Sequence, residues 1–272
     1  MAGIFEGVLF CSDYDGTLCA HDPIGTYPRG IPAENMEALQ YFMDNGGLFT
    51  LCTGRRGRSA PMDIRPNAPI IGLSGTEIYD PATDTVLETF LMDEAWRQIT
   101  EELMLRPDVV KISIVSDTDA YPFPSDDPAA ADFIRTFDGR VCKVMFYFRE
   151  PRLSPDPVPP EVRKRCAGLV NPLSNGTNAF QITALHAHKG TGVRNLKKRT
   201  GSRLLVCAGD WDGDIPMLRE ADIGYAVANA HDSVKAAADR VTVHAGEGAI
   251  ARIIRDLEDE IRYPTDAKLS LV

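Results

Sequence analysis

Long hydrophobic runs are missing from this sequence of 272 residues. No stretch approaches the run of about 18 apolar residues that a membrane-spanning helix needs. The N-terminus also lacks the basic segment followed by an apolar segment that is typical of a secretory signal. We therefore expect a cytoplasmic protein that has no membrane partner.

Positive charge is also scarce. The chain has 29 Lys and Arg against 39 Asp and Glu, which gives a net charge of −10. Non-specific nucleic-acid binding depends on Lys and Arg that neutralise phosphates, so this balance argues against a nucleic-acid partner. A small anionic substrate remains compatible, because a bound metal ion and a few local cations can create a positive pocket in an acidic protein.

The six cysteines include no CxxC pair, so nothing indicates a cysteine-based metal site or a disulfide framework. Most are expected to be small buried residues, and Cys19 to be more exposed. The hydrophobic share of 44% and the charged share of 25% are those of an ordinary globular protein. The length suggests one large domain or two modest ones, and the sequence shows no internal repeat.

The chain is organised around a short apolar run, Val8–Cys11, which is followed by Asp13 and Asp15. The run is long enough for a buried strand and too short for a helix. In parallel α/β sheets, ligands bind outside the carboxyl ends of the strands, where these two acids fall. Neighbouring carboxylates repel each other unless a cation offsets their charge, which favours a divalent ion with oxygen ligands. The alternative interpretation is a simple turn, since Asp and Gly are common turn residues.

Two further strand ends carry polar groups. Leu48–Cys52 is followed by Thr53, Gly54 and Arg55, and Leu204–Ala208 is followed by an acidic segment that contains Asp210 and Asp214. Parallel strands place their carboxyl ends at one edge of the sheet, so these groups are expected to converge with Asp13.

A calcium-binding loop is excluded at both acidic segments. Counted from Asp13, Leu18 stands where the loop needs Gly and Ile24 where it needs Glu; counted from Asp210, Ile215 and Ala221 stand there. The acids of the second segment are more plausible as partners of Asp13 in one metal site.

Several carboxylates around an anionic substrate require a cation besides the metal. Lys189 opens a predicted helix and is the best candidate, although most lysines are solvated surface residues. Arg55 and its neighbour Arg56 could bind an anionic group of the substrate or pair with acids. Asn229 and Ser74 could line the site or only cap a turn.

The alternation of strands and helices predicts a Rossmann-like α/β core with a parallel sheet over residues 1–80 and 186–272. Residues 81–185 break the alternation and predict an inserted α+β cap. Predicted helices are Ala33–Asp44, Leu91–Leu105, one from about Glu161, Thr191–Lys198, Ile215–Ala221, Ser233–Ala238 and Ala249–Ile261. Further predicted strands are Pro69–Leu73, as a member of the first series, Val109–Val115, Lys143–Phe148, Ala179–Ile182, Ile223–Val227 and Val241–Val243. Pro-rich loops are expected at His21–Pro32 and Pro151–Pro160, and the tail after Pro264 is expected to fray.

Taken together, the motifs resemble the haloacid dehalogenase superfamily of phosphotransferases. The resemblance covers nearly the whole chain and rests on four ordered motifs: Asp13-Tyr14-Asp15-Gly16-Thr17, Thr53-Gly54-Arg55, Lys189, and Gly209-Asp210 with Asp214. A cap inserted between the second and third motifs is similar to that of the Cof-type branch, subclass IIB, of sugar-phosphate phosphatases.

This resemblance implies roles for the motif residues. Asp13 would be the nucleophile that forms an aspartyl-phosphate, and Asp15 the general acid and base. Mg²⁺ would be held by Asp13, by the backbone carbonyl of Asp15, and by Asp210. Thr53, the Gly54 amide and Lys189 would bind the phosphate oxygens, and Asp214 would position Lys189 or a metal-bound water.

The resemblance implies hydrolysis of a small phosphorylated metabolite, most simply a sugar phosphate, and leaves the oligomeric state open. One alternative is a phosphotransferase similar to phosphomannomutase, and another is a non-catalytic phosphosugar-binding or regulatory protein. The chain departs from the branch at two positions, since Gly213 and Ser74 stand where Asn is usual.

Overall fold

A computed structural model describes residues 3–20, 30–152 and 158–263. Most of the predicted loop His21–Pro32, the middle of Pro151–Pro160 and the tail after Pro264 lie outside these ranges. The described residues divide into two compact units, one running up to Leu87 and again from Lys189, the other comprising Glu88–His188. The sequence placed these boundaries at 80/81 and 185/186; the first lies later, inside a strand at Thr85–Thr89 that pairs in a sheet with strands of the first unit.

The strands are β1 (Val8–Ser12), β2 (Leu48–Leu51), β3 (Ile70–Gly72), β4 (Glu77–Asp80), β5 (Thr85–Thr89), β6 (Val109–Ser116), β7 (Ala120–Pro124), β8 (Val141–Phe148), β9 (Val170–Ser174), β10 (Ala179–Ala184), β11 (Leu204–Gly209), β12 (Ile223–Ala226) and β13 (Arg240–Val241). The helices are α1 (Ala33–Asp44), α2 (Ala95–Met104), α3 (Pro128–Thr136), α4 (Pro160–Cys166), α5 (Lys189–Thr200), α6 (Ile215–Glu220), α7 (Asp232–Ala237) and α8 (Ala249–Arg262).

The first unit is built on a parallel sheet with the strand order β13-β12-β11-β1-β2. Every residue of β1 is buried, because helices cover both faces of the sheet. Phe10 packs on one side with Leu39 of α1 and Ile253 of α8. Leu9 packs on the other side with Val193 of α5. The predicted parallel α/β core is confirmed, and β1 lies at its centre.

The expectation that Pro69–Leu73 continues the parallel series holds at one bridge only. Ile71 of β3 forms a parallel bridge with Cys52, directly after β2. The ladder of β3 is antiparallel with β4, in a separate three-stranded sheet of order β3-β4-β5. The chain reverses direction after β3 because Leu73 and Ser74 adopt positive φ angles of 49° and 63°.

The second unit is an antiparallel sheet with the strand order β7-β6-β8-β10-β9. Its apolar core joins sheet residues to helix residues, among them Phe146, Phe180 and Trp96. The rings of Phe146 and Phe180 stack with their centroids 4.7 Å apart. Three elements of this unit were not predicted: β7, β9 and α3. The helix α3 starts with Pro128, and the side chain of Asp127 caps it by accepting from the backbone N–H of Ala129.

Burial of the cysteines agrees with the expectation from the sequence. Cys11, Cys52, Cys142, Cys166 and Cys207 are buried, and Cys19 is partly exposed. Burial raises the pKa of the Cys166 thiol to about 11, so this side chain is an un-ionised apolar residue near neutral pH. Among the helices of the described ranges, none combines the length and apolarity that crossing a bilayer requires.

Candidate active site

The carboxyl ends of β1, β2 and β11 bring the predicted motifs together. The backbone N–H of Asp13 donates to the carbonyl of Ala208 at 3.0 Å, which joins the end of β1 to β11. The N–H of Cys52 donates to Ser12 at 2.8 Å and joins β2 to the other side of β1. The residues that follow these strands therefore start from one edge of the sheet, as the sequence predicted.

Three carboxylates form an acidic cluster at this edge. Asp13, Asp210 and Asp214 each place an oxygen within 4.8 Å of the others. Asp214 is directed inward, because its Oδ2 accepts from the backbone N–H groups of Asp210 and Trp211 at 3.0 Å each. Thr17 donates from Oγ1 to Oδ1 of Asp210 at 2.9 Å and holds the third carboxylate.

Lys189 neutralises part of the acidic cluster. Its Nζ donates to Oδ1 of Asp13 and to Oδ1 of Asp214, each at 2.6 Å, and the side chain is only 9% exposed. Burial by itself would lower the pKa of Lys189, but the two carboxylates outweigh it and raise the pKa well above its usual value. The alternative of a solvated surface lysine is therefore excluded.

Burial dominates the acid–base properties of the carboxylates. It raises the pKa of Asp13 to about 7, with Asp214 adding to the rise and Lys189 opposing it. Burial, together with repulsion from Asp13 and Asp214, also holds the pKa of Asp210 well above its usual value. Negative charge is thus in excess in the acidic cluster even with Lys189 in place.

The acidic cluster fits Mg²⁺. Its donors are hard carboxylate oxygens, and the excess negative charge is of the kind a divalent cation would offset. The approach of Gly16 to Asp210 supports a purpose-built site, since a Cβ at Gly16 would lie 2.4 Å from Oδ2 of Asp210. Gly16 also has a φ of +86°, which other residues rarely adopt.

Asp15 pairs with an arginine and not with the residues of the acidic cluster. Its side chain is 56% exposed and forms a forked ion pair with Arg55, whose Nη2 is 2.7 Å from Oδ1 and whose Nε is 3.2 Å from Oδ2. The guanidinium carbon of Arg55 is 5.5 Å from the centre of the Tyr14 ring. Of the two roles that the sequence allowed for Arg55, the structure has the pairing with an acid.

The segment after β2 is held to the turn after β3. Thr53 is almost fully buried, and its carbonyl accepts from the N–H of Ser74 at 2.9 Å. The carbonyl of Arg55 accepts from the N–H of Leu73 at 2.7 Å. Ser74 is buried, and its backbone lies in the left-handed region, which Asn adopts more readily than most residues. Ser74 therefore replaces the usual Asn at a position where the backbone conformation favours Asn. Gly54 lies between the two contacts.

Asn229 ties two loops together. Its Nδ2 donates to the carbonyl of Gly16 at 2.7 Å, and its Oδ1 accepts from the N–H of Ala245 at 2.9 Å. These contacts are those of a residue that supports the turn after β1.

Thr17 and Glu77, by contrast, had no role assigned from the sequence. Thr17 belongs to a motif that was recognised, whereas no sequence signal marks a buried Glu such as Glu77.

Comparison with known proteins now identifies the family. The sequence profile of haloacid dehalogenase-like hydrolases matches residues 10–254. The chain belongs to this family. It is a hydrolase of the phosphatase type, in agreement with the resemblance seen in its motifs.

Two curated relatives of this haloacid dehalogenase-like hydrolase match more than nine tenths of its length. The 5-amino-6-(5-phospho-D-ribitylamino)uracil phosphatase YitU of Bacillus subtilis is 22% identical, over 91% of this chain and 96% of the relative. The phosphatase YbjI of Escherichia coli, which has the same substrate in its name, is 27% identical over 94% and 98%. The structure of the subclass IIB sugar phosphatase BT4131 shares the fold, with a TM-score of 0.70, 20% identity and coverage of 92% and 98%.

Proposed function

We propose that this protein is a Mg²⁺-dependent phosphatase that hydrolyses a small phosphomonoester through an aspartyl-phosphate intermediate, with sugar phosphates as the leading substrate class. The observation that carries the proposal is the buried bridge from Lys189 to both Asp13 and Asp214. A cation and a nucleophile at this spacing suit an incoming phosphoryl group, which needs an attacking oxygen and positive charge on its other oxygens.

In the first half of the reaction, a carboxylate oxygen of Asp13 attacks phosphorus and the bond from phosphorus to the leaving oxygen breaks. Asp15, in its protonated form, gives its proton to that leaving oxygen, so an alcohol departs. The exposed position of Asp15 allows it to reach a substrate atom and to exchange protons with solvent.

In the second half, Asp15 removes a proton from a water molecule whose oxygen attacks phosphorus. The bond between phosphorus and Asp13 breaks, inorganic phosphate leaves and the nucleophile is restored. Thr53, the Gly54 amide and Lys189 bind the phosphoryl oxygens, where charge accumulates in the transition state.

Asp13, Asp210 and the backbone carbonyl of Asp15 are the groups we assign to Mg²⁺, and Asp214 positions Lys189. When bound, the ion supplies positive charge between the nucleophile and the phosphate. Asn229 supports the turn that carries Gly16.

The substrate class is proposed from the names of the relatives. YitU and YbjI are named for a phosphate ester on a ribityl chain, a phosphorylated sugar alcohol, and BT4131 is named a sugar phosphatase. We propose a compound of this kind, turned over in the cytoplasm, with the second unit, predicted as a cap over residues 81–185, selecting the alcohol part.

The test is phosphate release from a panel of phosphorylated sugars, sugar alcohols and short acids, with Mg²⁺ or with EDTA. We expect release that requires Mg²⁺ and is abolished by Asp13→Asn. A matched control is Asp63→Asn, which changes a carboxylate bonded to Tyr14 outside the acidic cluster. Release by Asp13→Asn at the native rate would overturn the mechanism, and isomerised sugar phosphate without free phosphate would indicate a phosphotransferase instead.

A further inference from the structure

Glu77 is a buried acid that the proposed reaction does not use. It lies on β4, its side chain is 3% exposed, and its Oε2 accepts from the backbone N–H of Gly57 at 2.6 Å. Its Oε1 is 3.7 Å from Nη1 of Arg56. Burying a carboxylate is costly unless hydrogen bonds and a positive partner offset the loss of water, and both are present here.

The backbone at Gly72 lies close to this contact. A Cβ added at Gly72 would lie 2.6 Å from the nitrogen of Gly57 and 2.7 Å from Oε2 of Glu77. Both distances are far below van der Waals contact, so a side chain at Gly72 would push the donor and the acceptor apart. The hydrogen bond from Gly57 to Glu77 therefore requires a glycine at position 72.

The contact completes a series that holds one functional segment. Residues 53–57 are joined to residues 71–77 by three backbone hydrogen bonds, made by the N–H groups of Thr53, Leu73 and Ser74. The bond from Gly57 to Glu77 is the next in the series, and here the acceptor is a side chain. Thr53 and Arg55 both lie within the segment that is fixed in this way.

We propose that Glu77 is a positioning residue for phosphoryl transfer. Through Gly57 and Arg56 it fixes the segment that starts at Thr53, so that this segment meets the phosphoryl oxygens and Arg55 holds the carboxylate of Asp15. This inference rests on the proposed function. Its particular consequence is that proton donation by Asp15 depends on Glu77.

Proton donation matters most for esters with a poor leaving group. An alkyl phosphate needs its leaving oxygen protonated, whereas the p-nitrophenolate of p-nitrophenyl phosphate leaves without that help. A variant that disturbs Asp15 through Arg55 should therefore lose more activity on the alkyl ester. A general loss of folded protein would lower both activities equally.

The experiment compares Glu77→Leu, Glu77→Gln and Gly72→Ala with the native protein. Gln keeps an oxygen that can accept from Gly57, whereas Leu removes it and Ala at position 72 displaces it. Glu260→Gln is the matched control, because Glu260 also pairs with an arginine, Arg240, at 2.6 Å in the first unit, but outside the site. Two quantities are measured for each: hydrogen exchange of the backbone amides of residues 53–60, and kcat/KM for p-nitrophenyl phosphate and for an alkyl phosphate.

We expect Glu77→Leu and Gly72→Ala to speed exchange in residues 53–60 and to lower kcat/KM for the alkyl ester about tenfold more than for the aryl ester, the factor that one hydrogen bond to a charged group is worth. Glu77→Gln should restore most of both properties, and Glu260→Gln should change neither.

Unchanged exchange and an unchanged ratio of the two esters in Glu77→Leu and Gly72→Ala would overturn the proposal. If Glu77→Leu does not fold, Gly72→Ala decides, because it keeps the carboxylate of Glu77 and the guanidinium of Arg56. If the native protein hydrolyses neither these two esters nor any compound of the panel described above, the proposed function fails, while hydrogen exchange still shows whether Glu77 holds the segment.

Discussion

A single buried cation holds the candidate site together at the scale of residues. Lys189 is the first residue of α5 and bridges Asp13 and Asp214. Without it, two buried carboxylates would face each other with no compensating charge. Breaking a buried ion pair by removing one partner is costly, because the remaining charge stays buried.

Lys189→Met should therefore lower the free energy of unfolding by about 3–5 kcal/mol when Mg²⁺ is absent. Lys197→Met is the control, since Lys197 lies on the same helix and pairs with Asp222 at 2.6 Å, but both side chains are partly exposed. Its loss should stay below about 1 kcal/mol. Urea unfolding in EDTA measures both, and equal losses would contradict a structural role for the buried bridge.

Several site residues could be found from the sequence because their spacing follows strand ends. Asp13 and Asp210 come directly after apolar runs, and parallel strands bring such positions together. Whether Asp214 contacts Lys189 or a metal-bound water could not be decided in this way. The orientation of its carboxylate depends on a short turn that directs it at two backbone N–H groups. Glu77 was missed because its role comes from a hydrogen bond to a backbone atom 20 residues away.

At the scale of elements, strands with long apolar runs were predicted, whereas several strands without such a run were missed. The central strands β1, β11 and β8 are apolar over most of their length, and the sequence indicated each of them. The strand β5 is largely exposed, and β7 lies at an edge and contains two prolines, so neither has an apolar signature. Edge strands are defined by their neighbours rather than by their own composition.

Asp108, the residue before β6, makes the stability of the fold depend on pH. Asp108 accepts hydrogen bonds from Arg106 and from Arg152. Burial alone would raise the pKa of Asp108, but these bonds outweigh it and lower the pKa. A carboxyl with a lowered pKa stabilises the fold above its unfolded pKa of about 3.9, and the stabilisation is lost as the pH falls through the folded value.

Asp108→Asn should thus destabilise the protein at pH 7 by about 1.5–3 kcal/mol, the value of hydrogen bonds to a charged group, with the difference shrinking below about pH 4. Thermal unfolding of native and variant protein across this range measures it. Asp132→Asn is the control, because its pair with Arg135 is exposed. A difference that is constant with pH would show that the charge of Asp108 does not contribute.

At the scale of the whole molecule, the division into a discontinuous core and an inserted unit follows from where the strand–helix alternation stops and resumes. The boundary near 80 was less well defined in the sequence, because β4 and the first half of β5 continue the first unit without adding to its parallel sheet. Alternation reports on parallel sheets only, so a small antiparallel sheet beside one cannot be assigned to either unit by that pattern.

The same division predicts how the protein responds to Mg²⁺. A ligand that binds only the folded state stabilises it by mass action, about 2.7 kcal/mol at 100 times the dissociation constant. All three carboxylates of the acidic cluster belong to the first unit. Mg²⁺ should slow hydrogen exchange in residues 8–18 and 204–214, and leave β6 and β8 unchanged.

Asp210→Asn should abolish this protection, and addition of EDTA should reverse it in the native protein. Hydrogen exchange with mass spectrometry measures all of these segments in one experiment. Protection by Mg²⁺ that persists in Asp210→Asn would be incompatible with a metal bound at the acidic cluster.

The pairing of β1 with β11 also bears on synthesis of the chain. The two strands run in register from Val8 beside Leu204 to Ser12 beside Ala208, and the bond from Thr17 to Asp210 joins residues 193 positions apart. A ribosome makes the N-terminal strand first, so β1 can pair early with β2 but must wait for β11, its other neighbour, until the inserted unit has been translated. A nascent chain that stops before Leu204 contains Asp13 but has no acidic cluster. The acidic cluster can therefore assemble only after residues 204–214 have been translated.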